Sequence, residues 1–183
     1  MSDLFENVTA FLKQQLELYG DDYIAVDESV WQEDPADVPS TRWQEATTVG
    51  ELLAAIQNCQ KCALGRTRTK FVFGDGNWQA DIVLVGEAPG ADEDRAGVPF
   101  VGKAGALLTK ILAAVQIRRE DVFICNILKC RPPQNRDPLP DEIALCKHYL
   151  IKQLQLIRPK IIVCLGRVAA QVLLETTDSL SQL

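Results

Sequence analysis

Apolar runs alternate with amphipathic segments along most of the chain after residue 80. Three short apolar runs have the character of buried strands: DIVLVG (81–86), DVFICN (121–126) and KIIVCLG (160–166). Three segments have the apolar spacing of helices: 103–115, 140–157 and 167–176. Strands that alternate with helices are typical of a parallel sheet covered on both faces. We therefore predict a three-layer α/β/α domain with a central, mostly parallel sheet, to which VFGDG (72–76) adds an edge strand or a turn.

The pattern before residue 47 is different. Residues 3–19 repeat apolar side chains at helical spacing and predict an amphipathic helix. Residues 20–46 are acidic and contain two prolines, which favours an extended tether with Trp31 and Trp43 as anchors. We divide the chain into two parts: an acidic N-terminal extension, 1–46, and an α/β domain, 47–183.

Charge follows the same division. Residues 1–58 carry 12 acidic and 2 basic side chains, a net charge of −10, whereas residues 59–183 carry 17 basic and 13 acidic side chains, a net charge of +4. The mildly basic remainder permits a surface that faces phosphates. The N-terminus is acidic, unlike a secretory signal, and no run of about 18 apolar residues is present to span a membrane. We therefore expect a cytoplasmic protein, in which cysteines are metal ligands or buried thiols rather than disulfides.

Polar residues follow the predicted strands at their carboxyl ends. Glu87 comes directly after the first strand, Asn126 ends the second and Gly166 ends the third. Ligands bind at this edge of a parallel sheet, so we expect Asn126 and Glu87 to lie in one cleft. The alternative for Asn126 is a turn residue that terminates the strand.

The cysteines divide into two groups. Cys59 and Cys62 form a C-x2-C pair after a helix that the capping box Thr48-Val49-Gly50-Glu51 predicts to extend to about residue 58. Cys130 and Cys146 complete a set of four that suits tetrahedral zinc or an iron–sulfur cluster, and spacing does not separate the two. Two further cysteines lie inside apolar strands and are predicted to be buried thiols: Cys125 and Cys164.

The segment GVPFVGKA (97–104) nearly matches a phosphate-binding loop. Ala104 replaces the hydroxyl residue that would hold magnesium, so a nucleotide-hydrolysing site is disfavoured. Lys103 and the amides at the start of the helix still suit an anion such as a DNA phosphate. Phe100 lies on this glycine-framed loop, where it either stacks on a flat ring or anchors the loop. Four nearby carboxylates are expected to be mostly solvated, with one at a strand end able to orient water: Glu87, Asp92, Glu93 and Asp94.

Taken together, these motifs resemble those of the family 4 uracil-DNA glycosylases, the iron–sulfur members of the uracil glycosylase superfamily. The matching segments lie between residue 59 and about residue 177: GEAPG…ED…GVPFVGKAG…LL, then NILKCRPPQNRDPLPDEIALC, then IIVCLG. The resemblance implies a uracil-DNA glycosylase-like fold and a base-excision repair enzyme that hydrolyses the N-glycosidic bond of uracil in DNA.

The resemblance also implies the site residues. The ligands of a structural [4Fe–4S] cluster would be Cys59, Cys62, Cys130 and Cys146. Glu87 would be the catalytic acid that orients water or stabilises charge. Uracil would be bound by Glu87, Ala88, Pro89, Glu93, Phe100 and Asn126. The candidates for DNA phosphates are Lys103, Arg131 and Arg136.

One element of the family pattern has no counterpart here. Family members carry a histidine motif beyond the third core strand and its helix, whereas this sequence ends at Leu183 and its one histidine, His148, does not match. We therefore expect an apparently truncated domain in which binding features are present and catalysis is weak or absent. The alternative function is an iron–sulfur module that binds DNA or a partner without cleavage. The acidic extension is expected to lie away from DNA and to tether an unidentified protein partner.

Overall fold

The computed structural model describes residues 43–182, so the predicted helix over 3–19 and the tether anchor Trp31 lie outside the described residues. Within this range there are four strands: β1 (Asp75–Gly76), β2 (Ile82–Gly86), β3 (Phe123–Asn126) and β4 (Ile161–Cys164). The α-helices of this range are α1 (Val49–Ile56), α2 (Leu64–Thr67), α3 (Ala91–Ala96), α4 (Lys103–Ala114), α5 (Pro140–Ile157) and α6 (Arg167–Leu173). Two 3-10 turns cover Arg119–Asp121 and Pro133–Asn135.

The four strands form one sheet in the order β1-β3-β2-β4. Strand β2 is central and parallel to both β3 and β4, whereas the two-residue β1 is antiparallel to β3 at one edge. The predicted parallel sheet and the predicted edge strand near residues 72–76 are therefore confirmed. Since β3 and β4 lie on opposite sides of β2, the carboxyl end of β2 is the point at which the direction of winding changes, where an α/β sheet opens a cleft.

Helices cover both faces of the sheet, which confirms the three-layer architecture. On one face, Val83 and Val85 of β2 pack with α1 and α5 in a large apolar core. On the other face, Ile82 and Leu84 pack with Leu108 and Leu112 of α4. Alternate residues of one strand thus enter different cores, because side chains of a strand point to opposite faces in turn.

Strong local signals fix the ends of the helices. Thr48 caps α1, and its side-chain oxygen accepts a hydrogen bond from the Glu51 amide at 3.2 Å. The Glu51 carboxylate accepts a hydrogen bond from the Thr47 amide rather than from the Thr48 amide. Helix α5 begins and ends as predicted, with proline at its first position and Arg158 in a left-handed conformation after its last. Trp43 is buried edge-on against Tyr149, 5.0 Å between ring centres, so this predicted anchor is confirmed.

Two short helices, α2 and α3, were not predicted. Helix α3 occupies the segment between Gly90 and Gly97, and its six residues are too few to show a helical repeat. The helix carries Asp94 to a buried position, 4% exposed, where its carboxylate accepts the Thr69 amide at 2.9 Å. The expectation that the carboxylates of this segment are mostly solvated was wrong for Asp94, because it anchors the chain that follows α2.

The two cysteines of the strands differ in burial. Cys125 on β3 is fully buried, as predicted. Cys164 is only half-buried, which contradicts the prediction, because β4 forms an edge of the sheet and its residues are partly open. Among residues 43–182, no helix is both long enough and apolar enough to cross a membrane.

Candidate functional site

The ends of β2 and β3 bring the predicted polar residues to one place. Gly86 is paired with Asn126 in the parallel register, and the backbone pairing continues beyond the strands, with the Ile127 amide donating to the Gly86 carbonyl at 2.9 Å and Leu128 to Glu87 at 3.0 Å. Glu87 therefore lies directly beside the segment that follows Asn126. The structure thus places Glu87 and Asn126 close together at the carboxyl edge of the sheet.

Phe100 and Asn126 meet over Gly86. A Cβ atom built on Gly86 would lie 2.6 Å from the Phe100 Cζ atom and 2.5 Å from the Asn126 Oδ1 atom, so glycine is needed for this close approach. The Asn126 side chain is 2% exposed, and its Oδ1 atom has no hydrogen-bond partner among the described residues. A buried acceptor without a donor is costly, so the Asn126 Oδ1 atom is one that an added hydrogen-bond donor would stabilise.

Ala88 and Pro89 follow Glu87 in the turn after β2, and Glu93 lies in α3, which begins just after this turn. Pro89 is buried, whereas Ala88 and Glu93 are half-buried. The Glu93 carboxylate accepts the amides of Gly90, Val101 and Gly102 at 3.1, 3.0 and 2.9 Å. Both of its oxygens are therefore used to join the turn after β2 to the loop of Phe100.

Glu87 is half-buried, and its electrostatic environment includes two residues that the sequence interpretation missed. Desolvation raises the pKa of the Glu87 carboxyl, the negative charge of Asp137 raises it further, and Arg167 opposes both. Arg167 and Asp137 also lie 3.5 Å apart as an ion pair. Arg167 directly follows Gly166 at the end of β4, so the rule that selected Glu87 and Asn126 selects Arg167 as well.

The three phosphate candidates have different environments. Lys103 is exposed at the first position of α4. Arg131 is half-buried and donates from Nε to the Asn135 Oδ1 atom at 2.7 Å. Arg136 donates to both carboxylate oxygens of Glu142, at 2.9 and 2.6 Å, and to the Asp137 carbonyl. The guanidinium of Arg136 is thus engaged inside the protein, which leaves Lys103 as the most accessible cation of the three.

The four predicted cysteines line one cavity. Cys59 and Cys62 lie between α1 and α2, Cys130 follows β3 and Cys146 lies on α5. Phe71 and Tyr149 complete the apolar wall. In the part of the chain that the structure describes, no three His, Cys, Asp or Glu side chains are close enough together to hold a single metal ion. The four thiols therefore line one cavity but do not converge on a single point.

Hydrogen bonds to sulfur surround this cavity. Arg68 donates to the Cys130 sulfur at 3.1 Å, and the Tyr149 hydroxyl donates to the Cys59 sulfur at 3.3 Å. Burial raises the pKa of the Cys130 thiol, and burial raises the pKa of the Cys146 thiol to about 12. Thiolates at these positions therefore need a compensating positive charge, which a bound metal centre and Arg68 would both supply.

Lys129 connects the cysteine cavity with the cleft and was also missed. Its side chain is fully buried, and the Nζ atom donates to the Asn126 carbonyl at 2.8 Å and to Gln153 Oε1 at 2.5 Å. Gln153 in turn donates to the Phe73 carbonyl at 3.0 Å. The Lys129 amide donates to the Cys146 sulfur at 3.4 Å. One residue thus contacts both the end of β3 and a cysteine of the cavity.

Comparisons with known proteins agree with this geometry. The family profile of the Uracil DNA glycosylase superfamily matches residues 73–182. The chain is 55% identical over 131 residues to the type-4 uracil-DNA glycosylase of Archaeoglobus fulgidus, covering 72% of this chain and 66% of that protein. The type-4 enzyme of Thermotoga maritima is 53% identical over 114 residues, covering 62% and 59%. The type-4 enzyme of Pyrobaculum aerophilum is 49% identical over 120 residues, covering 66% and 61%.

The matched region thus amounts to about three fifths to two thirds of the length of these relatives. The profile match covers more than half of this chain and includes the whole sheet, the cleft and two of the four cysteines. The residues, the fold and the profile lead to the same conclusion: this chain belongs to the uracil DNA glycosylase superfamily.

Proposed function

We propose that this chain recognises uracil turned out of DNA and contributes to hydrolysis of its N-glycosidic bond. The observation that carries the proposal is the close approach of the Phe100 ring and the orphan Asn126 Oδ1 atom over Gly86. A flat ring that stacks and an amide that exchanges two hydrogen bonds suit a planar base with one N–H donor beside a carbonyl. Membership of the superfamily supports the same substrate.

Asn126 and Phe100 favour uracil over cytosine. Asn126 would accept the N3–H of uracil at Oδ1, the buried oxygen without a partner, and donate from its amide nitrogen to O4. Cytosine presents an amino group and a bare ring nitrogen at these positions, which leaves two pairs mismatched. Stacking on Phe100 offsets part of the cost of removing the base from the duplex, which is a few kcal/mol.

Glu87 is the group that would act on the scissile bond. Breaking this bond leaves a cationic sugar and a uracil anion, and a carboxylate beside the sugar stabilises the cation or orients the attacking water. Glu87 directly follows β2 and is half-buried next to Gly86, over which Phe100 and Asn126 meet. Ala88 and Pro89 would contact the base beside Glu87, while Glu93 joins the turn after β2 to the Phe100 loop through three amides.

A [4Fe–4S] cluster is the centre that we assign to the cysteine cavity. Four thiols line this cavity, and four thiolates are the ligand set of such a cluster. Cys59, Cys62, Cys130 and Cys146 would hold it, and the centre would join the segment after α1 to the loop between β3 and α5.

The second candidate function is binding of DNA or a protein partner without cleavage. His148 lies on α5, two residues from Cys146, and is not next to Asn126 in the sequence or on its strand. Lys103 and Arg131 are the cations that would contact DNA phosphates in either case, and Arg136 supports the loop of Arg131 through Glu142. A cytoplasmic location, a separate extension over 1–46 and a protein partner for that extension remain proposals.

One experiment separates the two candidates. The chain is incubated with single-stranded DNA that contains one uracil, and alkali-labile abasic sites are measured with Glu87→Gln as the matched variant. Excision that is lost in Glu87→Gln supports the enzyme. Binding of the uracil oligonucleotide by both proteins without abasic sites supports the binding module for this chain.

The proposed role of Asn126 has a test of its own. We expect Asn126→Asp to reduce discrimination against cytosine, because a carboxylate accepts from the cytosine amino group where the amide donated to uracil. The measurement is the ratio of affinities for uracil-containing and cytosine-containing oligonucleotides. An unchanged ratio would mean that Asn126 is a strand-terminating residue and does not contact the base.

A further inference from the structure

Phe100 has a backbone conformation that its surroundings must hold in place. Its φ angle is 53°, in the left-handed region that phenylalanine rarely adopts. Such conformations persist only where neighbouring contacts over-determine them, and they cluster at ligand sites. The contacts around this residue therefore show what keeps its ring above Gly86.

A cation holds the loop from one side. Arg119, the first residue of the 3-10 turn before β3, donates from Nη1 to the Phe100 carbonyl at 3.0 Å and from Nη2 to the Pro99 carbonyl at 3.1 Å. The planar guanidinium suits two neighbouring acceptors, which a single ammonium group cannot match. Arg119 is half-buried, so these bonds compete only partly with water.

An anion holds the same loop from the other side. Glu93 Oε1 accepts the amides of Val101 and Gly102 at 3.0 and 2.9 Å, and its other oxygen accepts the Gly90 amide at 3.1 Å. The peptide unit between Phe100 and Val101 is therefore held at both ends, with its carbonyl on Arg119 and its N–H on Glu93. Hydrogen bonds to charged groups are stronger than those between neutral groups, so each end is firmly fixed.

The first turns of α4 close the remaining space. A Cβ atom on Gly105 would lie 1.8 Å from the Phe100 carbonyl oxygen, so the loop backbone rests directly on the helix. The Phe100 ring extends to Gly86, where a Cβ atom would lie 2.6 Å from its Cζ atom.

We propose that Arg119 and Glu93 form a two-sided clamp that positions the Phe100 ring as a fixed wall of the base pocket. Both are positioning residues that act through the Phe100–Val101 peptide. The identity of the base in the pocket rests on the proposed function, whereas the clamp rests on the contacts of the loop. A ring that is already in place before binding spares the base the cost of ordering it, so the clamp raises affinity for a planar base.

The test compares Arg119→Met with Arg118→Met, because Arg118 is the adjacent arginine and pairs with Glu120 and Asp121 at the surface. The first measurement is amide hydrogen exchange at Val101 and Gly102 by NMR, with Leu84 and Ile124 of the central strands as internal references. We expect Arg119→Met to accelerate exchange at the two loop amides and to leave the references unchanged, although Arg119 bonds neither amide. Arg118→Met should change the exchange rate neither at the two loop amides nor at the two reference amides.

The second measurement is affinity for a short single-stranded oligonucleotide with one uracil. We expect about a tenfold loss of affinity in Arg119→Met, as for a lost hydrogen bond to a charged group, and no loss in Arg118→Met. Arg119→Lys keeps the charge and one bond, so it should lie between the wild type and Arg119→Met. If Arg119→Met does not fold, Arg119→Lys replaces it in both measurements.

The outcomes separate the clamp from the proposed function. Unchanged exchange at Val101 and Gly102 in both Arg119 variants overturns the clamp. So does faster exchange with full uracil affinity, because the ring would then not depend on the loop. If the wild-type chain does not prefer the uracil oligonucleotide to one with thymine, the proposed function fails, and faster exchange at the loop amides still supports the clamp.

Discussion

At the scale of single residues, environment gives side chains different roles from those that their types suggest. Three acidic residues within eight positions illustrate this point. Glu87 faces the cleft, Glu93 binds three backbone amides and Asp94 is buried against the Thr69 amide. Only the first remains free to act on a ligand. The spacing of acids in the sequence does not distinguish them, because the distinction depends on which backbone amides lie nearby.

The charges around Glu87 lead to a prediction about its ionisation. Since desolvation and Asp137 raise the pKa of Glu87 while Arg167 lowers it, Asp137→Asn should lower the pKa and Arg167→Gln should raise it. The Glu87 carboxylate would then form at lower pH in the first variant and at higher pH in the second. The measurement is an NMR titration of the glutamate carboxyl carbons.

The sizes of both shifts should fall with added salt, because Asp137 and Arg167 are exposed and their fields are screened. Glu120, which lies beside Arg118 at the surface, provides an internal reference in the same spectra. Shifts of Glu87 in one direction for both variants would contradict the assignment of its neighbours.

At the scale of elements, the connection between β3 and α5 depends on one ion pair. Arg136 donates twice to Glu142 in the first turn of α5, and the Leu139 amide donates to the same carboxylate at 2.9 Å. The pair closes the loop that runs from Cys130 to the helix bearing Cys146. The Glu142 side chain is 7% exposed and that of Arg136 is 37% exposed, so water screens only one partner well.

This pair predicts a stability that depends on pH. The Arg136 hydrogen bond lowers the pKa of Glu142 below its unfolded value. The ion pair therefore stabilises the folded protein fully above the unfolded pKa of Glu142, which is about 4.3. This stabilisation is lost as the pH falls through the folded pKa of Glu142. Glu142→Gln should lower the free energy of unfolding by about 1 kcal/mol at neutral pH, since part of the pair is open to solvent.

The measurement is urea unfolding across a pH series. The difference in free energy of unfolding between Glu142→Gln and the wild type should become smaller in acid. Glu120→Gln is the matched control, because its partner Arg118 is exposed and such pairs contribute little. An equal loss of stability at every pH would show that packing, and not the charge of Glu142, accounts for the effect.

At the scale of the whole molecule, distant segments meet at the cysteine cavity. Cys59 and Cys62 come from the connection between α1 and α2, while Cys130 and Cys146 come from the connection between β3 and α5. A centre held by all four closes a long loop of chain and restricts the unfolded state, so it should contribute to stability. Lys129 extends this connection to the end of β3 through the Asn126 carbonyl.

The cavity predicts which cysteines matter for colour and stability. Cys146→Ser should abolish the brown colour of an iron–sulfur protein and lower the melting temperature by several degrees, because each kcal/mol shifts the Tm of a chain of this size by about 2–4 °C. Cys164→Ser is the control, since Cys164 is half-buried on β4 and does not line the cavity. The measurements are the visible spectrum, the iron content and thermal unfolding.

A colourless wild-type protein that contains one zinc ion would contradict the cluster. Retention of full colour and iron in Cys146→Ser would contradict the assignment of Cys146 as a ligand. Loss of colour without loss of stability would show that the centre does not join the two segments.

The sequence alone determined the layers of the domain and the ends of its long elements. Apolar runs and helical spacing are local properties, and proline, glycine and capping residues mark boundaries, so β2, α4 and α5 were placed within one or two residues. The positions of Glu87 and Asn126 next to each other were also predicted, because both residues come at the carboxyl ends of predicted parallel strands. The short helix α3 was missed because six residues carry no periodic signal.

Only the tertiary structure decided what the side chains of the cleft contact. Lys129, Arg119 and Arg167 are ordinary basic residues in the sequence. Lys129 is fully buried and donates to Gln153 of α5, Arg119 holds the Phe100 loop, and the charge of Arg167 acts on Glu87. These roles depend on contacts between segments that are far apart along the chain or lie on different strands. No local pattern records such contacts, because they form only when the sheet has brought its strand ends together.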